Sequence, residues 1–301
     1  MKAYTSNNIR NIAVLGHGGK GKTTLCEAML YIAGASDRLG RVADGNTVLD
    51  FDSEEKRRKS SVSSAIAALE WDNTKLNIID APGLFDFEGG AAEAVRAAEA
   101  VLIVTSAGSG VDVGTEKAFR AAEKKGAAKF FAVTKTDSDH RNFYKTFDAL
   151  KEVYGNKLCP TIIPYMEGNI TKCYVNLMTG MAFSYDENGK ATKVPVPEDS
   201  VIEEMTSAFM EAVATTDDAL MEKFFEGEKF TKEEILKGLC IGIFDGSIYP
   251  VYAVSGLTCA GVGPPPVHSV MQAKNAPTKT AKRVFYPATK TVRSQPSASR
   301  R

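Results

Sequence analysis

Residues 16–24 read GHGGKGKTT and lie between the apolar run NIAVL and the segment LCEAMLYIAG. The stretch matches the pattern G-x-x-x-x-G-K-[ST], with a predicted buried strand before it and a predicted helix over 22–33. Glycines permit the backbone angles that turn successive N–H groups towards an anion, and the following helix directs its positive end to the same place. We therefore interpret the stretch as the phosphate-binding loop of a nucleoside triphosphate site.

The side chains of this loop have separate predicted tasks. Lys22 is expected to reach the β and γ phosphates, and the Thr23 hydroxyl is expected to coordinate Mg²⁺. Loops of this kind serve kinases, ATPases and GTPases, so the loop alone does not identify the base. The predicted nucleotide-binding residues of the loop are Gly16, His17, Gly18, Gly19, Lys20, Gly21, Lys22, Thr23 and Thr24.

Strand and helix patterns alternate through the first half of the chain. Apolar runs such as VLIVTSA and KFFAVT predict buried strands, and AIAALEW and KLNIID predict two more that are joined by a short turn. Alternation of strands with helices is typical of a doubly wound, mostly parallel sheet, so we predict an α/β fold of the P-loop NTPase type. The nucleotide-binding domain is predicted to comprise residues 8–160 and 248–263.

Between these two parts the pattern changes, and residues 161–247 are predicted to form an inserted α+β subdomain. Apolar and polar residues alternate on both sides of DENGK, which predicts an antiparallel hairpin. Two helices are predicted after it, at about 198–226 and 231–239, before the strand-then-glycine pattern returns in YPVYAVSG.

The last part of the chain, residues 264–301, has a different composition. It contains eight basic residues and no acidic one, whereas the whole chain balances 37 Lys and Arg against 37 Asp and Glu. Proline, lysine, threonine and serine dominate this part without periodicity, so we expect little structure there. A basic tail can touch RNA or a membrane surface, but we expect a solvated chain end. The overall balance of charge indicates no DNA partner.

The cysteines and the apolar runs indicate a cytoplasmic protein. Five cysteines are widely spaced, and no C-x-x-C pair or Cys/His metal pattern accompanies them. The N-terminal apolar stretch is too short for a signal peptide, and no run approaches the length of a membrane span. We therefore expect no membrane partner.

A second phosphate-proximal segment is predicted in IIDAPG. It places Asp80 and Gly83 at the carboxyl end of a strand, which is the edge where doubly wound sheets bind ligands. Asp80 can hold a water bound to Mg²⁺, and the Gly83 N–H can contact the γ phosphate. The D-x-x-G pattern is weak alone and gains weight from its position after the phosphate loop.

The base is expected to lie against two later segments. VTKTD places Lys135 and Asp137 after a strand, where a carboxylate can accept the N1 and N2 hydrogens of guanine, a pair that adenine lacks. AVSG places Ser255 and Gly256 where their backbone can face the base oxygen. Four elements in this order, each after an apolar strand, favour a GTPase over an ATPase.

The order of these motifs resembles the G domain of elongation factor G. The resemblance rests on GHGGKGKTTL, DAPGLFDFEGG, VTKTD and YAVSGLTCAGVGP, and it extends over residues 8–263. The insertion resembles the G′ subdomain of that family in MEGNITKCYVNLMTGMAFSYDENGK and TTDDALMEKFFEGEKFTKEEILKGL. The resemblance implies GTP and GDP as ligands, Mg²⁺ as cofactor, the ribosome as partner and activator, and a role in translocation or ribosome recycling.

Two departures from the family pattern concern residues that hold the nucleotide. Thr134 stands where the family usually has an asparagine that also tethers the phosphate loop, so the resemblance leaves base recognition mostly to Lys135 and Asp137. Ser61 aligns with the switch threonine that closes on Mg²⁺, and a serine hydroxyl can also coordinate the metal. The magnesium ligands implied by the resemblance are Thr23, Ser61 and Asp80.

A third departure concerns hydrolysis. Leu84 stands where ribosome-stimulated members carry a histidine that positions the attacking water, and leucine can neither orient nor polarise water. We therefore assign no catalytic residue, and we expect the neighbouring His17 to pack the loop. In having this substitution, the chain resembles a paralogous, elongation-factor-G-like branch of the family.

A fourth departure is the loss of resemblance at about Pro265, where full-length members continue into a β-barrel and further domains. We interpret it as a natural truncation or a frameshift. Three functions stay open. The chain is a GTPase of ribosome-linked translation, a nucleotide-dependent binding or regulatory module with little hydrolysis, or a non-functional fragment.

Overall fold

The computed structural model describes residues 3–138, 142–186 and 189–263, so the predicted tail lies outside the described residues. The strands of the described residues are β1 (Ile9–Leu15), β2 (Ala65–Trp71), β3 (Thr74–Asp80), β4 (Ala100–Ser106), β5 (Ala128–Thr134), β6 (Leu158–Glu167), β7 (Ile170–Asn176), β8 (Met181–Tyr185), β9 (Ala191–Val194) and β10 (Tyr249–Ala253). They form a single sheet in the order β2-β3-β1-β4-β5-β10-β6-β7-β8-β9.

Helices pack on this sheet in groups. The α-helices are α1 (Lys22–Ile32), α2 (Ser53–Arg58), α3 (Glu88–Ala97), α4 (Val113–Lys125), α5 (Phe143–Tyr154), α6 (Ser200–Ala214), α7 (Asp218–Glu226) and α8 (Lys232–Asp245). Helix α1 packs on β1, β2 and β3, helices α3 and α4 pack on each other, and α6 contacts β6, α7 and α8. In the described part of the chain, every helix is too short or too polar to cross a bilayer.

The centre of the sheet confirms the predicted α/β fold. Strands β3, β1, β4, β5, β10 and β6, in this order across the sheet, run parallel to one another. Strand β4 is buried along its whole length, as expected for the middle of a parallel sheet. Because parallel strands end at the same edge, the loop after β1 meets the ends of β3, β4 and β5. Strand β1 lies between β3 and β4, the type of position where doubly wound sheets bind ligands.

The strands on the β2 side form the predicted pair. β2 and β3 are antiparallel and are joined at Asp72 and Asn73, whose φ angles of 42° and 58° lie in the left-handed region. A two-residue hairpin turn needs this conformation at both positions, and Asp and Asn tolerate it better than other side chains do. The hairpin brings β3 back beside β1, with Asp80 at the ligand edge of the sheet.

The predicted insertion shares the sheet of the rest of the chain. Strand β6 runs across the predicted boundary between residues 160 and 161, pairing in parallel with β10 and antiparallel with β7. Strands β7, β8 and β9 continue the sheet antiparallel, and the pairing of β8 with β9 agrees with the hairpin predicted around DENGK, of which residues 187 and 188 lie outside the described residues. Since one sheet runs through both parts, the division into a G domain and a G′ subdomain stays a prediction.

The helices of the insertion differ from the prediction. The single helix predicted over 198–226 is wrong, because two helices, α6 and α7, are separated at residues 215–217. The Asp217 carboxylate accepts a hydrogen bond from the Ala219 N–H at 3.0 Å and so caps the beginning of α7. Helix α8 also continues to Asp245, well past its predicted end.

Candidate functional site

The loop after β1 is pressed against the end of β4. Gly16 has a φ of 142°, and a Cβ atom at this position would overlap the carbonyl group of Val104. Gly21 is left-handed, with a φ of 88°, and directly precedes α1. The predicted strand, loop and helix therefore follow each other in the structure, at the ligand edge of the sheet.

The Lys22 ammonium is buried and held by the backbone of the loop. Its Nζ donates hydrogen bonds to the carbonyl oxygens of Gly16 at 3.0 Å and His17 at 3.1 Å. Burial lowers the pKa of this amine, and the Asp80 carboxylate acts in the opposite direction. Gly83 lies against the same group, because a Cβ atom there would overlap Lys22 Nζ. The D-x-x-G segment thus contacts the phosphate loop, as predicted from its position on the sheet.

Four oxygen-bearing side chains meet beside Lys22. The Thr23 hydroxyl donates to Asp80 Oδ2 at 2.6 Å and lies 3.1 Å from Ser61 Oγ. The Ser61 hydroxyl donates to Asp50 Oδ1 at 2.8 Å, and all four side chains are buried. The structure therefore brings together the three magnesium ligands implied by the resemblance and places Asp50 beside them.

This oxygen cluster fits a divalent cation. Asp80 Oδ1 and Asp50 Oδ2 are buried and have no hydrogen-bond partner among the described residues, an arrangement that costs energy unless something else satisfies them. Burial, together with the charges of Asp50 and Glu27, raises the pKa of Asp80 to about 7, while the Thr23 hydroxyl and the Lys22 ammonium act in the opposite direction. Hydroxyl and carboxylate oxygens are the ligands that Mg²⁺ prefers. The residues present are therefore suited to hold Mg²⁺ with a nucleotide.

Sequence analysis missed Asp50, because nothing beside it marks it as a ligand. It lies in the acidic segment VLDFDSEE, eleven residues before Ser61. Helix α2 lies between the two residues and returns the chain, so that they meet through a hydrogen bond. The D-x-x-E pattern of Asp52 and Glu55, which forms a capping box at the beginning of α2, is a sequence signal for this turn.

Thr134 ties the phosphate loop to the sheet. Its hydroxyl is shared between the carbonyl oxygens of Lys20, at 2.6 Å, and Thr105, at 3.0 Å. The next residue, Lys135, donates from Nζ to the Gly19 carbonyl at 2.8 Å. A threonine hydroxyl thus makes the loop tether that the family resemblance assigns to an asparagine.

The segment that carries Asp137 lies beside the end of β10. The Thr136 hydroxyl is 3.0 Å from the Val254 carbonyl and accordingly donates to it. Asp137 is exposed directly after this contact. The structure therefore brings the predicted guanine-reading segment together with the AVSG segment.

The AVSG turn closes on itself and on the first turn of α1. The Ser255 N–H donates to the Ala260 carbonyl at 2.8 Å, and Ser255 Oγ accepts from the Thr258 N–H at 3.2 Å. A Cβ atom on Gly256 would approach the Thr24 carbonyl to 2.9 Å. This close approach places Ser255 and Gly256 next to the helix that begins at the phosphate loop.

Leu84 lies over the phosphate loop. The position of a Cβ atom on Gly18 would be 3.0 Å from Leu84 Cδ2, and Leu84 is 38% exposed. An apolar side chain thus occupies the place directly after D-x-x-G. The geometry gives this position no hydrogen-bonding group with which to orient water.

His17 and Lys20 attach the outer side of the loop to the region around α4. The His17 ring packs edge-on against Phe85, with 5.4 Å between the ring centroids. A Cβ atom on Gly114, in the first turn of α4, would lie 2.6 Å from His17 Cβ. Lys20 forms an ion pair with Asp112, the residue that caps α4, at 3.1 Å. His17 therefore holds the loop by packing, and Lys20 holds it by an ion pair.

The chain that carries this phosphate loop, this oxygen cluster and the VTKTD and AVSG segments also matches a known protein family. Residues 7–276 match the family described as the elongation factor Tu GTP binding domain. The chain belongs to this family. The match extends past residue 263, the end of the resemblance found from the motifs.

Individual relatives point to elongation factor G. Two curated proteins from Mycobacterium tuberculosis, strains CDC 1551 and H37Rv, are named "Elongation factor G-like protein" and are each 33% identical to the chain over 258 residues. A crystal structure of a Thermus thermophilus protein is similar, with a TM-score of 0.81 and 35% identity over 89% of this chain and 40% of that one. The resemblance to elongation factor G is thereby confirmed.

These matches cover only part of each relative. The curated matches cover 85% of this chain and 35% of each relative, so the chain spans about a third of their length. The likeness is to that third of the relatives, and the family that it accompanies is the elongation factor Tu GTP binding domain.

Thr134→Val removes the tethering hydroxyl and retains the shape of the side chain. The carbonyl oxygens of Lys20 and Thr105 each lose a donor, so we expect a loss of about 1–3 kcal/mol in the free energy of unfolding. We also expect about tenfold weaker nucleotide binding, because the loop is less firmly held. Urea unfolding and titration with a fluorescent nucleotide measure the two effects. Thr74→Val, at the start of β3, is the control, and equal behaviour of the two variants would contradict the tether.

Proposed function

We propose that this chain binds GTP and GDP with Mg²⁺ in the cytoplasm and hydrolyses GTP in ribosome-linked translation, in translocation or ribosome recycling. The observation that carries the proposal is that VTKTD contacts the phosphate loop and that AVSG contacts α1. Thr134 and Lys135 bond the loop, and Gly256 packs on Thr24. A nucleotide with its phosphates in the loop would therefore have its base beside Asp137.

Each residue has a stated task in this proposal. The loop N–H groups and Lys22 bind the phosphates. Asp137 accepts the N1 and N2 hydrogens of guanine, while the Lys135 stem covers the base. Mg²⁺, when bound, neutralises charge on the β and γ phosphates. Thr23, Ser61, Asp80 and Asp50 would hold it, directly or through water.

The relatives are the only basis for proposing the ribosome as a partner. They are named elongation factor G-like proteins, and the chain covers about a third of their length. We propose from this name that the ribosome acts on this chain. Neither translocation nor recycling is favoured by a residue of the described site.

A second function, a nucleotide-dependent binding module with little hydrolysis, is favoured by one observation. Leu84 covers Gly18 where a water-orienting group would be needed. Without such a group, the described residues offer the γ phosphate charge stabilisation from Lys22 and no orientation of the attacking water, so intrinsic turnover should be slow.

Guanine selectivity tests the binding part of the proposal. We expect GTP to bind far more tightly than ATP in calorimetry. Asp137→Asn should weaken GTP about 10- to 100-fold, the loss expected for hydrogen bonds to a charged group, and should shift preference towards xanthosine nucleotides. Asp148→Asn, at an exposed position of α5, is the matched control. Equal affinity for ATP and GTP would defeat the assignment.

Single-turnover hydrolysis, with and without ribosomes, separates the two functions. The proposal expects slow intrinsic hydrolysis that ribosomes stimulate, and Leu84→His should raise the stimulated rate at least about tenfold, since positioned acid–base groups contribute about 10²–10⁴. Val153→His introduces the same side chain at an exposed apolar position of α5 and should change nothing. A rate that ribosomes leave unchanged in wild type and in Leu84→His would favour the binding module.

A further inference from the structure

Two members of the oxygen cluster, Asp50 and Ser61, lie on the segment between α1 and β2. Regular structure in this segment is limited to α2 and a short 3-10 turn at Val42–Asp44. Each of the two ligands must therefore be placed by contacts other than a strand ladder or a long helix. The structure supplies one buried glutamate beside each ligand.

Glu27 holds the chain before Asp50. It lies on α1, is fully buried, and its Oε1 accepts hydrogen bonds from the Val48 N–H at 2.8 Å and the Leu49 N–H at 3.0 Å. Burial raises the pKa of this carboxylate, and the two N–H groups act in the opposite direction. The carboxylate thus fixes the backbone directly adjacent to Asp50.

Glu55 holds the chain after Ser61 in the same way. It lies on α2, is 3% exposed, and its Oε1 accepts from the Val62 N–H at 3.0 Å and the Ser63 N–H at 3.1 Å. Its Oε2 accepts from the Asp52 N–H at 3.3 Å, so the same side chain also fixes the beginning of α2. Ser61 precedes the first of these bonded N–H groups.

We propose that Glu27 and Glu55 are positioning residues for the magnesium site, each holding two consecutive backbone N–H groups next to one loop-borne ligand. The inference rests on the proposed function, because it assigns the oxygen cluster to Mg²⁺ bound with GTP. Hydrogen bonds to a carboxylate acceptor are stronger than those between neutral groups. All of these contacts join protein groups, so the two glutamates can hold the segment without nucleotide or metal.

Hydrogen exchange of the ligand-free full chain tests directly whether Glu27 and Glu55 hold these N–H groups. Glu27→Ala should speed exchange about 10- to 100-fold at the N–H groups of Val48 and Leu49, and Glu55→Ala should do the same at Val62 and Ser63. Exchange in the central strand β4 should stay slow in both variants. Glu93→Ala, at an exposed position of α3, is the control and should exchange as wild type does.

The dependence of GTP affinity on Mg²⁺ tests the link to the metal. The ratio of the GTP Kd in EDTA to that in Mg²⁺ should fall at least about tenfold in Glu27→Ala and Glu55→Ala, while the Kd in EDTA changes less than about twofold. Glu27→Gln should retain most of the ratio, because the amide oxygen can still accept both N–H groups. Glu93→Ala should leave it unchanged.

Several results would overturn the proposal. Both alanine variants could keep slow exchange at the four N–H groups, or keep the wild-type Mg²⁺ ratio. Faster exchange throughout β4 in both alanine variants and in Glu27→Gln would show a role in global stability only. If wild type binds GTP without preference over ATP, the proposed function fails instead, and the exchange data still show whether the glutamates hold the segment.

Discussion

The hydrogen bond from the Thr23 hydroxyl to Asp80 joins the first turn of α1 to the end of β3, at 2.6 Å and out of solvent. The phosphate loop ends where α1 begins, and the D-x-x-G segment begins where β3 ends. This one contact therefore sets the distance between the two segments that would face the phosphates. Ser61 and Asp50 extend it into the segment between α1 and β2.

The same contact creates an electrostatic constraint. Asp80 and Asp50 are both buried, and burial raises the pKa of each. The Lys22 ammonium lies beside them, but its donors are directed to carbonyl oxygens of the loop. Like charges in a buried site are unfavourable unless a cation or hydrogen bonds compensate them. The cluster is therefore matched to a bound cation. Backbone N–H groups satisfy Oε1 of Glu27 and both carboxylate oxygens of Glu55, while Glu27 Oε2 has no hydrogen-bond partner among the described residues.

Features that depend on residues close together in the chain could be predicted from the sequence, and features that depend on distant residues could not. The phosphate loop, the β2–β3 pair and the DENGK hairpin depend on local glycine positions and apolar periodicity, so they could be predicted. Asp50 could not, because its place depends on Glu27, which is more than twenty residues away in the chain. The break at residues 215–217 was missed because short polar side chains there bond the backbone and compete with the helix.

We propose that the oxygen cluster holds a divalent cation beside the phosphate loop. Anomalous scattering from crystals grown with Mn²⁺ and a non-hydrolysable GTP analogue tests it most directly. We predict one peak bonded to Thr23 Oγ1, with Ser61, Asp80 and Asp50 in reach directly or through a single water. Bound nucleotide with no peak there, or a peak away from these four side chains, would contradict it.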